Sequence, residues 1–163
     1  MSVDCSGCTK RKKGTMNTAK TIESPMGRTL LKAHVTNVVD VLAVTTNSKK
    51  PSDVRALDVE FLVDTGAAML CLPSSIIKQL GLVHYNEATV RTANGIVKRH
   101  IYSPVRIEVL DRHATLDVME NDDDTPPLLG YIPLEMMDLQ INPKEQVVLP
   151  NPANNGKWLI DLF

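Results

Sequence analysis

The stretch that decides the fold is Phe61-Leu62-Val63-Asp64-Thr65-Gly66-Ala67. It closes a segment, Val54 to Val63, in which polar and apolar residues alternate with the period of two that is typical of a β-strand. An acid that directly follows three apolar residues lies in a low-dielectric setting, so it needs a compensating partner or a second carboxylate that shares its proton. Gly66 lets the backbone approach that acid and donate its amide. Asp64 is therefore a candidate functional residue, against the plainer interpretation of a turn-capping aspartate in an ordinary β protein.

The residues downstream of this turn predict short strands and short helices. Met69 to Pro73 is apolar and predicts a strand. Residues 74–80 begin with two serines and end before Gly81, which predicts a helix with a serine cap and a glycine stop. Further on, Pro126 to Gly130 predicts an apolar strand that ends in glycine, and Pro133 to Leu139 predicts a second short helix.

Two hairpins are predicted in the middle of the chain. Thr89 to Ile101 enclose Asn94-Gly95, the strongest short hairpin signal in a sequence. Val105 to Val118 predict a second hairpin around Asp111-Arg112. The residues that follow, Glu120 to Asp124, are expected to form a solvated acidic turn rather than a calcium loop.

The outer parts of the chain add further strands. Leu30 to Val39 is rich in apolar and β-branched residues and predicts a strand, and residues 45–53 are polar and predict a loop. Val147 to Leu149 and Trp158 to Leu162 predict two short terminal strands. Strands therefore dominate, and the predicted class is all-β.

Composition limits the class of protein. The chain has 163 residues, of which 43% are hydrophobic and 23% charged, and its net charge is −1. We predict a flexible polar and basic tail over residues 1–24, one folded domain over residues 25–163, and neither a nucleic acid nor a membrane as partner. Lys10 to Lys13 are followed by polar residues rather than by the apolar run of a signal peptide. The chain has three cysteines, a small and odd number that fits a reducing compartment, so a cytoplasmic protein is expected.

The motifs together resemble the aspartic proteases of the retroviral-like clan, known as retropepsin-type proteases. The resemblance rests on Asp64-Thr65-Gly66-Ala67 after three apolar residues, and on an apolar pair with glycine, Leu128-Leu129-Gly130, before a short helix. The matching order runs from Val54 to Pro143. The chain is also similar to a bacterial single-domain branch of the clan that ends in a turn like Pro150 to Ala153.

This resemblance implies a closed, barrel-like retropepsin (acid protease) fold with one or two short helices, active as a homodimer. Asp64 would be the catalytic residue, Thr65 and Gly66 would brace the active-site turns, and Ala67 would line the carboxylate pair. The second hallmark would be Leu128, Leu129 and Gly130, and the flap that covers an extended peptide or protein substrate would contain Ala93, Asn94, Gly95 and Ile96.

A dimer is also expected from the number of motifs. The chain has one Asp-Thr-Gly, and its other Asp-Thr, Asp124-Thr125, leads into Pro126 rather than into a glycine turn. The second carboxylate must then come from a second copy across a two-fold axis. The pair would share one proton and activate a water, so neither a metal nor a cofactor is expected.

The sequence departs from the family pattern at several places. Ala68 and Met69 stand where retroviral enzymes commonly carry acidic residues, and Tyr131 stands where an arginine usually braces the dimer. There is an insertion over about residues 39–53, and the candidate flap is polar and basic. Ala67, which cannot donate a hydrogen bond to the carboxylate as serine does, predicts activity at mildly acidic to near-neutral pH.

Two other functions compete with proteolysis. One is a non-catalytic dimeric domain of the same fold that binds peptides. The other is a metal-linked structural protein, assembled through the Cys5-x-x-Cys8 pair in the tail. The four histidines, His34, His84, His100 and His113, show no metal-ligand spacing and are expected to be structural or surface residues.

Overall fold

The computed structural model describes residues 28–92 and 95–158. Several predicted features lie outside the described residues. They are the tail over residues 1–24 with Cys5 and Cys8, the flap residues Ala93 and Asn94, and residues 159–162 of the last predicted strand.

The described chain forms nine strands, three α-helices and two short 3-10 helices. The strands are β1 (Thr29–Asn37), β2 (Ala56–Val63), β3 (Leu70–Pro73), β4 (His84–Thr92), β5 (Gly95–Val109), β6 (Arg112–Asn121), β7 (Leu128–Leu129), β8 (Leu139–Asn142) and β9 (Val147–Pro150). The α-helices are α1 (Val38–Thr45), α2 (Ser74–Leu80) and α3 (Tyr131–Met136), and the 3-10 helices are Pro51–Asp53 and Pro152–Asn154.

Six strands close into a barrel. Their order is β1-β2-β7-β3-β6-β5, and β5 pairs back with β1, so the ring has no free edge. β4 extends the sheet beyond β5 as the other arm of the candidate flap hairpin, and β8 and β9 form a separate pair. The predicted all-β class and the predicted closed barrel are confirmed.

The barrel closes because its longest strands keep one buried face. In β1 the side chains of Thr29, Leu31, Ala33, Val35 and Asn37 are buried, and every second residue from Ile101 to Val109 of β5 is buried in the same way. This is the period of two expected when one face of a sheet covers a core. Phe61, the last large side chain before the candidate site, is fully buried.

Helix α1 corrects the prediction of a strand up to Val39. β1 ends at Asn37, whose side chain accepts hydrogen bonds from the backbone N–H groups of Val39 (2.8 Å) and Asp40 (3.2 Å). This N-cap starts a helix within a run of valines that locally favours a strand. The chain therefore has three α-helices, one more than the upper number predicted, and α1 occupies much of the insertion over residues 39–53.

Helix α2 is present as predicted, but its serine cap is not. The N-cap position is Pro73, and the hydroxyl of Ser74 donates to the carboxylate of Glu120. The free N–H of Ser75 is instead satisfied by Asp123 at 2.9 Å. Gly81 does stop the helix, with φ at 58°. In the predicted acidic turn, Asp122 to Asp124 are exposed and Asp123 also caps the helix, whereas Glu120 is only partly exposed.

Helix α3 begins earlier than predicted. It runs over Tyr131–Met136, and Leu139 belongs to β8 rather than to the helix. Pro133 lies in its first turn, where a missing backbone N–H costs no hydrogen bond. In the part of the chain that the structure describes, no helix has the length and apolar character needed to cross a membrane.

Candidate active site

Asp64 lies immediately after β2, and the backbone of β7 fixes its position. β2 and β7 pair in parallel, with Leu62 opposite Leu128 and Val63 opposite Leu129. The N–H of Asp64 continues this ladder and donates to the carbonyl oxygen of Leu129 at 3.0 Å. Asp64 itself is half-buried, so its carboxylate is carried by a paired strand end rather than by a free loop.

The turn after Asp64 folds back on the carboxylate. The N–H of Gly66 donates to Oδ1 of Asp64 at 2.9 Å, and the N–H of Ala67 donates to the backbone carbonyl of Asp64 at 3.1 Å. A Cβ atom at position 66 would lie 3.1 Å from Oδ1, which is tighter than an ordinary contact. Thr65 and Gly66 are exposed. The turn therefore holds the carboxylate from one side, and its outer residues are exposed to solvent.

The Leu128-Leu129-Gly130 segment braces the same turn. The N–H of Gly130 donates to the carbonyl oxygen of Met69 (3.1 Å), and the N–H groups of Tyr131 and Ile132 donate to the carbonyl oxygens of Ala67 (3.0 Å) and Ala68 (3.2 Å). A Cβ atom at position 130 would lie 2.6 Å from backbone atoms of Ala67, Ala68 and Met69. Only glycine allows this approach without a shift of the turn.

β7 also lies between the two strands that flank the turn. On its other side it pairs with β3, with Leu129 opposite Leu70 and Leu128 opposite Cys71. Leu70 and Leu129 are fully buried. Burial raises the pKa of the Cys71 thiol to about 11, so this cysteine stays protonated near neutral pH and has no thiolate to act as a nucleophile. β7 therefore joins the strand that ends before Asp64 to the strand that follows the turn.

An exposed apolar surface adjoins the turn. Tyr131, Ile132 and Met136 of α3 are 42%, 38% and 46% exposed, and the first two are hydrogen-bonded through their N–H groups to the active-site turn. We call these three side chains the α3 patch. Large apolar side chains grouped in this way are typical of a surface that another chain covers.

The structure brings the two hallmark segments together, but the candidate flap lies on a separate hairpin. Gly95 and Ile96 begin β5, opposite Thr92 and Arg91 of β4, and Ile96 is one of the most exposed apolar residues. β4 pairs with β5 alone and lies outside the closed ring of six strands. Ala93 and Asn94 lie outside the described residues.

Sequence reasoning missed one polar group in this hairpin. His84, Glu87 and His100 place one ligand-type atom each within 4.8 Å of one another. Linear spacing gives no sign of this group, because it forms only when β4 pairs with β5. The strands of the hairpin were predicted, but their register, on which the meeting of these side chains depends, was not.

The architecture and the site define a class of protein. A closed β-barrel in which an Asp-Thr-Gly turn is braced by an apolar pair with glycine is a retropepsin-type aspartic protease domain. Residues 53–135 match the family described as gag-polyprotein putative aspartyl protease, and the match spans half of the chain. The chain belongs to this family. The predicted retropepsin-type resemblance is confirmed, while no match to the chain is found among curated proteins.

Solved structures with similarity to the chain include two proteases. One is the EIAV protease complexed with the inhibitor HBY-793, with 17% identity, 79% of this chain and 99% of that chain covered, and a TM-score of 0.47. The other is a retropepsin-like aspartic protease from Rickettsia conorii, with 22% identity, 71% of this chain and 77% of that chain covered, and a TM-score of 0.47.

Proposed function

We propose that the protein is an aspartic endopeptidase that works as a homodimer. The observation that carries the proposal is the Asp64 turn, whose carboxylate accepts the N–H of Gly66 while the Gly130 segment braces the turn from behind. Asp64 and its symmetry mate would lie across a two-fold axis and share one proton, since two carboxylates about 3 Å apart cannot both ionise.

The chemistry follows from this shared proton. The ionised carboxylate acts as general base and takes a proton from a water, which attacks the scissile carbonyl carbon. The protonated carboxyl polarises the carbonyl oxygen and later helps to protonate the leaving amine. Thr65, at the exposed edge of the turn, would brace its counterpart across the axis. Every step uses protein carboxylates and water.

The substrate proposal is an extended peptide or protein. The hairpin that ends at Gly95 and Ile96 would cover the substrate as a flap and contribute strand-like backbone hydrogen bonds. Ala68 and Met69 beside the turn favour an apolar residue in the neighbouring subsite. We place this activity in the folded domain proposed for residues 25–163, and we propose the cytoplasm as its location.

Peptide cleavage tests the proposal directly. Purified protein is incubated with a diverse mixture of unstructured peptides between about pH 4 and about pH 8, and the products are read by mass spectrometry. Asp64→Asn is expected to abolish every cut. Asp124→Asn, in the other Asp-Thr of the chain, is the matched control and is expected to cut as the wild type does.

The pattern of products decides between the alternatives. Cuts at mildly acidic to near-neutral pH that vanish only in Asp64→Asn support the protease. A dimer that cuts nothing, but binds peptides equally well with aspartate or asparagine at position 64, would replace the protease with a peptide-binding domain. Cuts that persist in Asp64→Asn would refute the assignment of this residue.

A further inference from the structure

The base of the β4–β5 hairpin carries a group of side chains that proteolysis does not use. His84, Glu87 and His100 each place one nitrogen or carboxylate oxygen within 4.8 Å of the other two. Within residues 28–92 and 95–158 this is the single group of three or more His, Cys, Asp or Glu side chains that come so close. All three side chains are exposed, so an ion has free access to them.

A β-bulge brings these residues to one face of the hairpin. Glu87 lies opposite His100, and His84 lies opposite Tyr102, which shares a face with His100 because the two are two residues apart. His84 and Glu87 are three residues apart and would point to opposite faces of a regular strand. The register shift between His84 and Asn86 inserts one residue in β4, and the side chains of His84 and Glu87 therefore point to the same face.

The distances between the ligand atoms are slightly longer than those around a bound small divalent ion. Nε2 of His100 lies 3.7 Å from Oε1 of Glu87. A tetrahedral zinc ion with bonds of about 2.0–2.1 Å requires about 3.4 Å between neighbouring ligand atoms. The rings of His84 and His100 are in edge contact, with centroids 4.8 Å apart. The remaining gaps can be closed by side-chain rotation, because these residues are exposed.

A second carboxylate orients one of the histidines. Nδ1 of His100 lies 2.7 Å from Oε2 of Glu120, which in turn accepts the hydroxyl of Ser74 through its other oxygen. A histidine that donates from Nδ1 to a carboxylate keeps the lone pair on Nε2, and Nε2 is the atom that faces Glu87. Such a carboxylate–histidine pair is the usual support of a metal-binding imidazole.

Glu87 also forms an ion pair with Lys98, but this pair does not use Oε1, the carboxylate oxygen that faces His100. Lys98 approaches the other carboxylate oxygen, Oε2, at 3.9 Å, and its side chain is largely exposed. An ion pair of this kind on a protein surface contributes little stability. It therefore opposes binding of a cation at Oε1 only weakly.

We propose that His84, Glu87 and His100 form a zinc-binding site, with water as the fourth ligand and Glu120 as a positioning residue. Two imidazoles and one carboxylate suit Zn²⁺, whereas Mg²⁺ and Ca²⁺ prefer sites made of oxygen ligands. The ion would join β4 to β5 at the base of the hairpin, and through His100 and Glu120 it would join the hairpin to β6. The site does not depend on proteolysis and could exist in an inactive protein.

Zinc titration of the full chain tests the site. Cys5→Ser with Cys8→Ser serves as the background, because the tail cysteines are themselves potential zinc ligands. Competition of Zn²⁺ with a chromophoric chelator is expected to give one ion per chain. His84→Gln and His100→Gln are expected to weaken binding by more than about 100-fold, a larger loss than the about 10–100-fold expected for Glu120→Gln. His34→Gln, an exposed histidine on β1, is the matched control and is expected to bind as the background does.

Two further readouts identify the ligands. Co²⁺ in place of Zn²⁺ is expected to give visible bands of a four-coordinate site without a thiolate charge-transfer band. Hydrogen exchange is expected to slow in β4 and β5 on addition of Zn²⁺. The proposal is overturned if no ion binds while circular dichroism shows a folded background protein, if binding survives His84→Gln and His100→Gln together, or if Mg²⁺ competes as well as Zn²⁺ does.

Discussion

At the scale of single residues, the site depends on two glycines with different neighbours. A Cβ at Gly130 would meet the backbone of Ala67, Ala68 and Met69 at 2.6 Å, and a backbone that is hydrogen-bonded on both sides has no room to move away. A Cβ at Gly66 would meet only the carboxylate of Asp64, at 3.1 Å. The first glycine is therefore required by packing, and the second by the position of one side chain.

Alanine at each position separates these roles. Gly130→Ala is expected to lower the free energy of unfolding by about 1–3 kcal/mol, as overpacking of a tight core does, and to abolish peptide cleavage. Gly66→Ala is the comparison: it is expected to reduce cleavage with a smaller loss of stability. Urea unfolding followed by circular dichroism measures both. Equal stability of Gly130→Ala and the wild type would contradict the role of Gly130 as a brace.

The positions of these residues were partly predictable from sequence. Asp64 and Gly66 follow from a carboxylate after an apolar strand, since local chemistry is sufficient to single them out. Gly130 was singled out only through the family resemblance, as part of the second hallmark, and its contacts with the turn were not predicted, because the residues that it touches are more than sixty positions earlier in the chain. The histidine group was missed because the sequence carries no visible sign of the bulge after His84.

The register of the hairpin also differs from the one that a two-residue turn at Asn94-Gly95 predicts. Thr92 pairs with Gly95, whereas such a turn would pair Ala93 with Ile96.

At the scale of elements, one buried carboxylate holds the inserted helix α1 to the barrel. Asp40 accepts hydrogen bonds from Nζ of Lys49 (2.6 Å) and from Nε, Nη2 and the backbone N–H of Arg55 (2.7, 2.7 and 3.0 Å). The guanidinium of Arg55 beside Asp40 holds the pKa of that carboxyl well below its usual range. The ends of the insertion are thereby joined next to the start of β2.

Asp40→Asn is expected to lower the free energy of unfolding by about 3 kcal/mol near neutral pH, since it leaves Arg55 and Lys49 without their anion. This lies at the lower end of the range for a broken buried pair, because the side chain of Arg55 is itself partly exposed. A carboxyl whose pKa is lowered by folding stabilises the protein above its unfolded pKa of about 3.9. That stability is lost as the pH falls through the folded pKa.

Denaturant titrations at about pH 7 and about pH 3 measure this contribution. The difference in stability between the wild type and Asp40→Asn is expected to be smaller at the lower pH, because the carboxyl of Asp40 binds a proton there in the unfolded wild type but not in the folded wild type. Asp53→Asn, in the exposed 3-10 helix of the same insertion, is the control and is expected to leave stability unchanged at both pH values. A difference that stays constant with pH would show that charge on Asp40 is not the cause.

The same contacts explain why α1 was not predicted. Val38, Val39, Val41 and Val44 favour a strand by local propensity, so the pattern extends β1 past its end. The helix forms because Asn37 caps it and because Asp40 meets Arg55, fifteen residues later. Strands with one buried face were predictable, since alternation is a local signal, whereas an element set by a tertiary ion pair was not.

At the scale of the whole molecule, a shared pair of carboxylates places strong limits on the interface of the proposed dimer. If the two Asp64 side chains meet across a two-fold axis, every residue packed against the active-site turn lies close to that axis. The backbone N–H groups of Tyr131 and Ile132 are hydrogen-bonded to this turn, and their side chains are exposed. The α3 patch is therefore the surface expected to pack against its own copy, with apolar contact in place of an arginine brace.

Ile132→Asp is expected to dissociate the dimer, because it places a charge in the centre of an apolar contact. Leu149→Asp is the matched control: Leu149 of β9 has the same exposed fraction, 38%, but lies outside the α3 patch. Sedimentation velocity over a range of protein concentrations is expected to show a monomer for Ile132→Asp and a dimer for Leu149→Asp. Cleavage by Ile132→Asp is expected to be restored in part at high protein concentration, because a higher concentration shifts the equilibrium from monomer to dimer. An Ile132→Asp variant that remains dimeric and fully active would place the two-fold axis elsewhere and would require another surface to bring the second carboxylate to Asp64.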